Sequence, residues 1–330
     1  MAKVACMFQP GIPAPHLAPL MGREALSERG GVTYRELETR SLLNRCDSPR
    51  MPFRWTVNPY RGCAMGCRYC YAAYTHEFMG IKGGDEFHST VYAKSGGETE
   101  TARRLSVVRG RGELVALGTA TDPYQPGEAE FKVTRRFLEL VARQRGLRLS
   151  ITTKGALVLR DLDLLLRIHE RSSLSVHVSL ISPRAPLLRA LEPWAPPPEV
   201  RIEVLRRLVE AGIVAGLSLA PVLPLLTDRE ADLDELLGRV AAAGVKRMFW
   251  NILFLRSPTR EKYLRWLAGA FPQHLEAYER AYAGHVYLKG RYRDWLRGRI
   301  GRLREKHGLQ DGFPVEPAPR APAVQLPLWG

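Results

Sequence analysis

Three cysteines within eight residues are the strongest chemical signal in the sequence. Cys63, Cys67 and Cys70 are separated by three and two residues, and no cysteine follows them. Thiolates at this spacing can surround one small inorganic core, and a fourth cysteine would complete an ordinary [4Fe–4S] site. With only three, one iron keeps a position open for a substrate or cofactor ligand. A zinc site with a further ligand such as His76 is the alternative.

The remaining cysteines, Cys6 and Cys46, stand apart from this group. A total of five cysteines argues against a disulfide framework, because an odd number leaves one thiol unpaired. The sequence therefore predicts metal or redox chemistry at the cysteine group, with Cys6 and Cys46 as incidental or buried thiols unless one of them acts in the reaction.

The elements that must position the cysteines alternate between strands and helices. Strands are predicted at 55–58, 113–118, 147–153, 174–179, 214–220 and 247–254, and helices at about 129–145, 160–171, 199–211, 228–243 and 259–270. Repeated strand–helix alternation predicts right-handed crossovers and a parallel sheet. We expect an α/β fold, a partial (β/α)6 TIM-like barrel. The expected parts are a peripheral arm (1–50), the barrel (51–256), a basic helical extension (257–312) and a flexible proline-rich tail (313–330).

Polar side chains follow several of these predicted strands. In a barrel of this kind the chemistry takes place at the carboxyl ends of the strands. Alternation also puts Ser150, Thr152 and Lys154 on one face of their strand, and Ser175, His177 and Ser179 on one face of the next. His177 also suits an ordinary interior position, and Lys154 a solvated one. The candidates for this edge are Thr119, Thr121, Asp122, Lys154, Ser179 and Asn251.

Composition and charge narrow the class of protein. The 330 residues are 45% hydrophobic and carry a net charge of +15. No stretch is long and apolar enough for a membrane span, and the amino terminus lacks a secretory pattern, so we expect a cytoplasmic protein without membrane contact. A basic surface favours a polyanionic partner such as nucleic acid, although genomic bias toward arginine contributes to such a composition.

Basic residues concentrate between residues 284 and 308, with tyrosines and a tryptophan between them. A helix that contacts phosphates is one interpretation, and an ordinary solvated helix face is the other. The candidates for DNA contact are Lys289, Arg291, Arg293, Arg297, Arg299, Arg302 and Arg304, with a second group at Arg103, Arg104, Arg109 and Arg111.

The cysteine motif resembles the signature of the radical S-adenosylmethionine (SAM) superfamily. That signature is Cx3CxΦC with an aromatic residue at Φ, which is Tyr69 here. The resemblance spans about residues 51–256. It implies a [4Fe–4S] cluster whose open iron binds SAM, reductive cleavage of SAM to a 5′-deoxyadenosyl radical, and an electron donor such as flavodoxin or ferredoxin. It also implies SAM contacts by Tyr69, Thr119, Thr121, Asp122, Lys154 and Ser179, although the Gly-Gly-Glu stretch of many members is absent.

Three longer runs resemble an uncharacterised bacterial group related to spore photoproduct lyase. They are NPYRGCAMGCRYCYA, GTATDPYQPGE and TTKGALVLRDLDLL. The lyase splits a thymine dimer and uses a cysteine beyond the cluster motif as hydrogen-atom donor. This chain has no cysteine after Cys70, so the resemblance leaves Tyr124 or Cys46 as candidate donors. An ordinary packed tyrosine is the alternative for Tyr124.

The last residues resemble the pentapeptide by which polymerases and repair proteins bind the bacterial sliding clamp. Gln325 would form hydrogen bonds, while Leu326, Leu328 and Trp329 would fill an apolar pocket. A chance apolar terminus is the alternative. A clamp tether would raise the local concentration of the protein on DNA.

These signals together predict a radical SAM enzyme that acts on DNA, by repair or alteration of a damaged base. A base must leave the stack to reach a barrel mouth, so we expect base flipping. Two alternatives remain open. One is a radical SAM enzyme that modifies RNA or a protein or peptide; the other is a non-catalytic iron–sulfur protein that binds DNA or the clamp.

Overall fold

The computed structural model describes residues 21–49, 51–81, 84–288 and 290–312. Cys6 and Lys289 lie outside these residues. So does the segment 313–330 with the clamp-like residues Gln325, Leu326, Leu328 and Trp329. None of the helices within the described ranges is both long enough and apolar enough to cross a membrane.

The strands form two sheets. In chain order they are β1 (Met21–Arg29), β2 (Val32–Glu38), β3 (Leu43–Arg45), β4 (Trp55–Val57), β5 (Tyr60–Arg61), β6 (Thr90–Ser95), β7 (Leu114–Leu117), β8 (Arg148–Thr153), β9 (Ser173–Ser179), β10 (Val214–Val222), β11 (Arg247–Ile252) and β12 (Gln310–Asp311). All six strands predicted from the sequence are present. The strands in residues 21–45, the region expected to be a peripheral arm, take part in both sheets.

Ten α-helices occur in the described residues. They are α1 (Glu98–Gly110), α2 (Glu128–Phe131), α3 (Val133–Ala142), α4 (Leu162–His169), α5 (Ala185–Leu191), α6 (Pro198–Glu210), α7 (Glu230–Ala242), α8 (Thr259–Ala270), α9 (Pro272–Ala281) and α10 (Arg291–Lys306). The expectation of a single helix at 129–145 is wrong, because this segment contains two helices. Lys132 has a φ of 51°, which breaks the segment into α2 and α3, and Glu128 accepts the freed backbone N–H of Thr134 at 2.9 Å.

The larger sheet has the strand order expected of a partial (β/α)6 barrel. Strands β4, β7, β8, β9, β10 and β11 are parallel neighbours in that order. Strand β3 pairs antiparallel with β4 at one edge, and β12 pairs parallel with β11 at the other. Helices α4 and α6 pack beside β9, and α6 also packs beside β10. The α/β prediction is therefore confirmed; in the described residues the sheet remains open.

The two faces of this sheet differ in chemistry, because paired residues of parallel strands share a face. One face is apolar along its length. Leu117 pairs with Ile151, Ile151 pairs with Val176, and Leu217 lies on the same face of the next strand, β10. The other face is polar and small. It carries Thr56, Ala116, Ser150, Thr152, Ser175, His177, Ser179, Gly216 and Ser218. The apolar face contributes to the core, and the polar face carries small, mostly buried hydroxyl groups together with the His177 ring.

The smaller sheet has the order β1–β2–β6–β5; its strands β1 and β2 precede β3 in the chain, and β5 and β6 lie between β4 and β7. Its short strand β5 pairs with β6 and ends at Arg61, directly before the cysteine group. This sheet therefore fixes the start of the segment that bears the cysteines.

The cysteine loop and its surroundings

The cysteine loop, residues 62–70, connects β5 to a 3₁₀ helix at Tyr71–Met79. Cys63 and Cys67 are buried and Cys70 is partly buried. The three thiols lie close enough for the ionisation of one to raise the pKa of another, although burial is the largest influence and raises the pKa of each to about 12. Such thiols become thiolates when a cation replaces the proton, as metal ligation requires.

The amino-terminal half of the loop is anchored by residues that follow β7. Gln125 is fully buried and accepts the backbone N–H of Ala64 at 2.8 Å. Thr121 donates its hydroxyl to the carbonyl of Gly62 at 2.7 Å. The amide of Cys63 donates to the carbonyl of Phe87 at 2.9 Å. These bonds hold the backbone around Cys63 without using the thiol itself.

Two further side chains, from elsewhere in the chain, contact the carbonyls of Cys70 and Cys63. The hydroxyl of Thr259, at the start of α8, donates to the carbonyl of Cys70 at 2.7 Å. The ring nitrogen Nδ1 of His88 lies 2.8 Å from the carbonyl of Cys63. Burial lowers the pKa of His88, so a neutral ring that donates this hydrogen bond fits the site.

Tyr69 stands at the centre of a buried charged network. Its hydroxyl donates to the carboxylate of Glu192, which also forms a buried ion pair with Arg201. Arg201 donates a further bond to the carbonyl of Ser179 at 2.9 Å. The ammonium of Lys154 lies 5.8 Å from the centroid of the Tyr69 ring. Residues predicted near SAM thus meet in one place.

Electrostatics keep Lys154 charged in this place. Burial alone lowers the pKa of a lysine, but Cys67 in its thiolate form and the carboxylate of Glu192 outweigh it and hold the pKa of Lys154 above its usual value. A partly buried ammonium beside Tyr69 is suited to pairing with a carboxylate.

The remaining polar candidates are joined across neighbouring strand ends. Asp122 accepts the Thr153 hydroxyl and the backbone amide of Lys154, both at 2.6 Å. The Thr119 hydroxyl forms a hydrogen bond with Asn58, which follows β4. The structure brings these residues to one edge of the sheet, but their polar atoms also maintain the edge itself.

Comparison with known proteins identifies the class of site. Residues 57–237, more than half of the chain, match the sequence family described as the radical SAM superfamily. The chain belongs to the radical SAM superfamily. An uncharacterised protein of Mycobacterium tuberculosis is 38% identical over 298 residues, which cover 90% of this chain and 87% of that protein. An uncharacterised protein of Methanocaldococcus jannaschii is 30% identical over 182 residues, which cover 55% of this chain and 65% of that protein.

Solved structures of the superfamily share the fold at low identity. A spore photoproduct lyase double mutant with bound SAM and dinucleoside spore photoproduct has a TM-score of 0.62 and 15% identity, covering 82% of this chain and 78% of that one. A tyrosine-to-phenylalanine mutant of spore photoproduct lyase has a TM-score of 0.64 and 16% identity, covering 88% and 86%. SuiB of Streptococcus suis bound to SAM has a TM-score of 0.51 and 12% identity, covering 79% and 49%.

This radical SAM enzyme uses a [4Fe–4S] cluster and SAM, as predicted. The three thiols of the anchored loop, two of them buried and that of Cys70 partly buried, fit the cluster. In the described residues, no three His, Cys, Asp or Glu side chains converge on a single metal ion. A four-iron cluster places each cysteine on a different iron, so its thiolates need not converge on one point. The bound cluster and SAM supply a 5′-deoxyadenosyl radical.

Tyr124, a predicted hydrogen-atom donor, lies in a buried charged region. It is 2% exposed, and burial followed by the charges of Asp161 and Glu128 raises its pKa well above the usual value. Arg160 bridges Glu128 and Asp161 at 2.7 and 2.8 Å. The structure therefore places Tyr124 beside the ion-pair network of Glu128, Arg160 and Asp161.

Cys46, the other predicted donor, lies on the polar face of the larger sheet. It belongs to a small buried cluster with Phe53, Leu114 and Ala116, and Tyr71 packs against that cluster. Ala116 pairs with Ser150, so Cys46 contacts the same face that carries His177. Tyr71 directly follows Cys70, so the hydrophobic cluster that contains Cys46 also borders the cysteine loop.

His177 occupies the middle of the polar face. Its ring nitrogen Nε2 lies 3.1 Å from the Ser175 hydroxyl. A side chain at the paired position Gly216 would put its Cβ 2.7 Å from His177 Nδ1, so glycine makes room for the ring. Burial lowers the pKa of His177 to about 3, which keeps it neutral.

Asn251, a further sequence-based candidate, lies in β11. Its side-chain oxygen accepts a hydrogen bond from the backbone amide of Ile252 at 3.0 Å.

Most of the predicted phosphate-contacting arginines of α10 bind neighbouring acids. Arg299 pairs with Glu230 at 3.1 Å and lies over the Trp295 ring at 4.0 Å. The other pairs are Arg297–Asp294, Arg302–Glu230 and Arg304–Asp311. On α1, Arg103 and Arg104 both pair with Glu100. Within the described part of the chain, Arg291, Arg293, Arg109 and Arg111 form no ion pair.

Several residues that build the site were absent from the sequence-based candidates. They are Asn58, Gln125, Glu192, Arg201, His88 and Thr259. Asn58 and Gln125 lie inside the runs that resemble the lyase group, and that was the available signal for them. Glu192 and Arg201 lie far along the chain from Tyr69, so only the folded structure reveals their contact.

Proposed function

We propose that this radical SAM enzyme acts on DNA, repairing or altering a damaged base. The observation that carries the proposal is the structural similarity to spore photoproduct lyase over 88% of this chain and 86% of that one, which extends beyond residues 57–237. One of the similar lyase structures contains a dinucleoside lesion. The net charge of +15 agrees with a polyanionic substrate.

The polar face of the larger sheet suits a flipped nucleobase. Hydroxyls of Ser150, Thr152, Ser175 and Ser218 and the neutral ring of His177 offer hydrogen-bond donors and acceptors on small side chains. A base can enter such a surface only after it leaves the stack. We assign the phosphate contacts to those of the predicted arginines that form no ion pair in the described residues, which are Arg291 and Arg293 on α10 and Arg109 and Arg111 at the end of α1.

We assign SAM contacts to residues beside the cysteine loop. Lys154 would pair with the carboxylate of SAM, because its ammonium remains charged beside Tyr69. Tyr69, Thr119, Thr121, Asp122 and Ser179 would complete the surroundings, chiefly by orienting the loop and strand ends. Cys46 is the favoured hydrogen-atom donor, since it contacts the polar face, whereas Tyr124 lies beside the Glu128–Arg160–Asp161 network.

The deciding experiment measures 5′-deoxyadenosine after anaerobic reconstitution and reduction. The arms contain no nucleic acid, undamaged DNA, ultraviolet-irradiated DNA, and RNA. Damaged DNA should stimulate formation most strongly, and Cys67→Ala should abolish it in every arm. Stimulation by RNA alone would replace the DNA proposal with an RNA-modifying enzyme. Cluster assembly without SAM binding would favour a non-catalytic iron–sulfur protein.

A further inference from the structure

Trp194 is a large exposed side chain mounted directly on the cysteine loop. It is 61% exposed, and its backbone amide donates to the carbonyl of Met65 at 3.3 Å. A Cβ on Gly66 would lie 2.9 Å from Cδ1 of the indole. The ring therefore packs on the segment between Cys63 and Cys67 while it remains open to solvent.

The backbone around Trp194 is fixed on both sides. Pro193 also packs on Gly66, and the amide of Ala195 donates to the carbonyl of Glu192 at 3.1 Å. The guanidinium of Arg201 donates to the carbonyl of Pro196 at 2.6 Å. An aromatic side chain held this way loses little conformational freedom when a partner covers it, and such residues dominate binding at protein interfaces.

Cations surround the same part of the loop. Arg68, next to Cys67, is exposed and forms no ion pair among the residues that the structure describes, and its amide donates to the carbonyl of Leu191 at 2.9 Å. Arg189 is exposed on α5, the helix that ends at Leu191.

We propose that Trp194, Arg68 and Arg189 form the docking surface for an acidic protein that donates one electron to the cluster. Low-potential donors must approach the cluster closely, and the loop between Cys63 and Cys67 is the part of the chain that Trp194 connects to solvent. SAM would bind the iron that no cysteine ligates, and Trp194, Arg68 and Arg189 are not among the residues assigned to SAM. An acidic partner complements the cations, and its apolar contact area covers the indole.

The step balances as a transfer of one electron. The reduced donor protein is oxidised by one electron, and the cluster is reduced by the same electron. No bond forms or breaks in the transfer, and no proton or leaving group is required. The proposal depends on the cluster and not on DNA as the substrate.

The test compares a protein donor with a small reductant on the full-length, cluster-loaded protein. Trp194→Ala and Arg68→Glu are the variants, with Leu166→Ala and Arg143→Glu as matched exposed controls on α4 and after α3. Flavodoxin affinity is measured by calorimetry, and the rate of cluster reduction by loss of visible absorbance. Dithionite reduction and dithionite-driven SAM cleavage are measured in parallel.

We expect each variant to weaken flavodoxin binding by about tenfold or more and to slow flavodoxin-driven reduction to match, while dithionite reduction stays unchanged. Added salt should weaken wild-type binding more than that of Arg68→Glu. Wild-type affinity in both variants would overturn the proposal. An equal loss of reduction rate with dithionite would also overturn it, because Trp194 would then act as a structural support of the loop.

Discussion

At the residue scale, the cysteines of this enzyme are positioned by hydrogen bonds to their backbone. Gln125, Thr121, His88 and Thr259 each form a hydrogen bond with a backbone amide or carbonyl of the cysteine loop, which leaves the thiols free for iron. The cysteine spacing alone predicts the metal chemistry. Thr121 was a candidate only as a SAM contact, and the anchoring role of all four residues could not be predicted, because each lies well outside the motif in the chain and its role depends on tertiary contacts.

Gly62→Ala should damage the loop more than an equivalent change elsewhere. Gly62 has a φ of +82°, and a Cβ would lie 2.6 Å from the carbonyl oxygen of Thr90. Gly30→Ala is the control, since Gly30 has a φ of +57° with open space around it. Both variants carry the backbone cost of about 1–2 kcal/mol, so the excess loss in Gly62→Ala measures the clash. We expect lower unfolding free energy and less iron per chain; equal losses in both variants would contradict this.

The buried neutral His177 should make stability depend on pH. Burial lowers its pKa to about 3 in the folded protein, against about 6.5 when unfolded. Its contribution is complete above about pH 6.5 and is lost as the pH falls toward 3, because the unfolded chain then binds a proton that the folded protein excludes.

Urea unfolding at pH 7.5 and pH 5 measures this dependence. Between these values wild type should lose about 2 kcal/mol more than His177→Gln. The exposed His285→Gln should behave as wild type does. An identical pH dependence in His177→Gln and wild type would show that His177 is not held neutral.

At the element scale, the parallel strands could be predicted but the smaller sheet could not. Leu114–Leu117 and Ser173–Ser179 are short runs with apolar or β-branched residues on a fully buried face. Strand β2 instead carries Glu36 and Glu38, and it pairs with β6, whose residues lie more than fifty positions away. A local pattern does not report such a pairing.

Helix α10 divides its arginines between packing and free charge. Arg299 holds Asp228 and Glu230 near the start of α7 and is largely covered. Arg299→Ala should therefore lower the unfolding free energy and leave the salt dependence of DNA binding unchanged. The double variant Arg291→Ala, Arg293→Ala should leave the unfolding free energy unchanged. It should reduce the slope of log K for DNA binding against log salt concentration by about 2. Reversed effects would make the paired face of α10 the DNA surface. Fluorescence anisotropy across a salt series checks this.

At the scale of the whole molecule, the clamp-like sequence predicts a tether that works independently of the barrel. Replacing Leu326 and Leu328 with alanine should weaken binding to a bacterial sliding clamp by at least about tenfold, since both would lose apolar contacts. Val315→Ala is the matched control in the same segment. SAM cleavage should be the same in all three proteins. Unchanged clamp affinity in the double variant would contradict the predicted tether.

The anchors of the cysteine loop also set an order for maturation. Cys70 is fixed by Thr259, which lies 189 positions later in the chain. Chains are synthesised from the amino terminus, so the cysteines leave the ribosome long before this support exists. Iron delivered to the nascent chain would meet an unshaped segment. Cluster insertion therefore belongs after folding, and a fragment limited to residues 57–237 should fail to retain its iron.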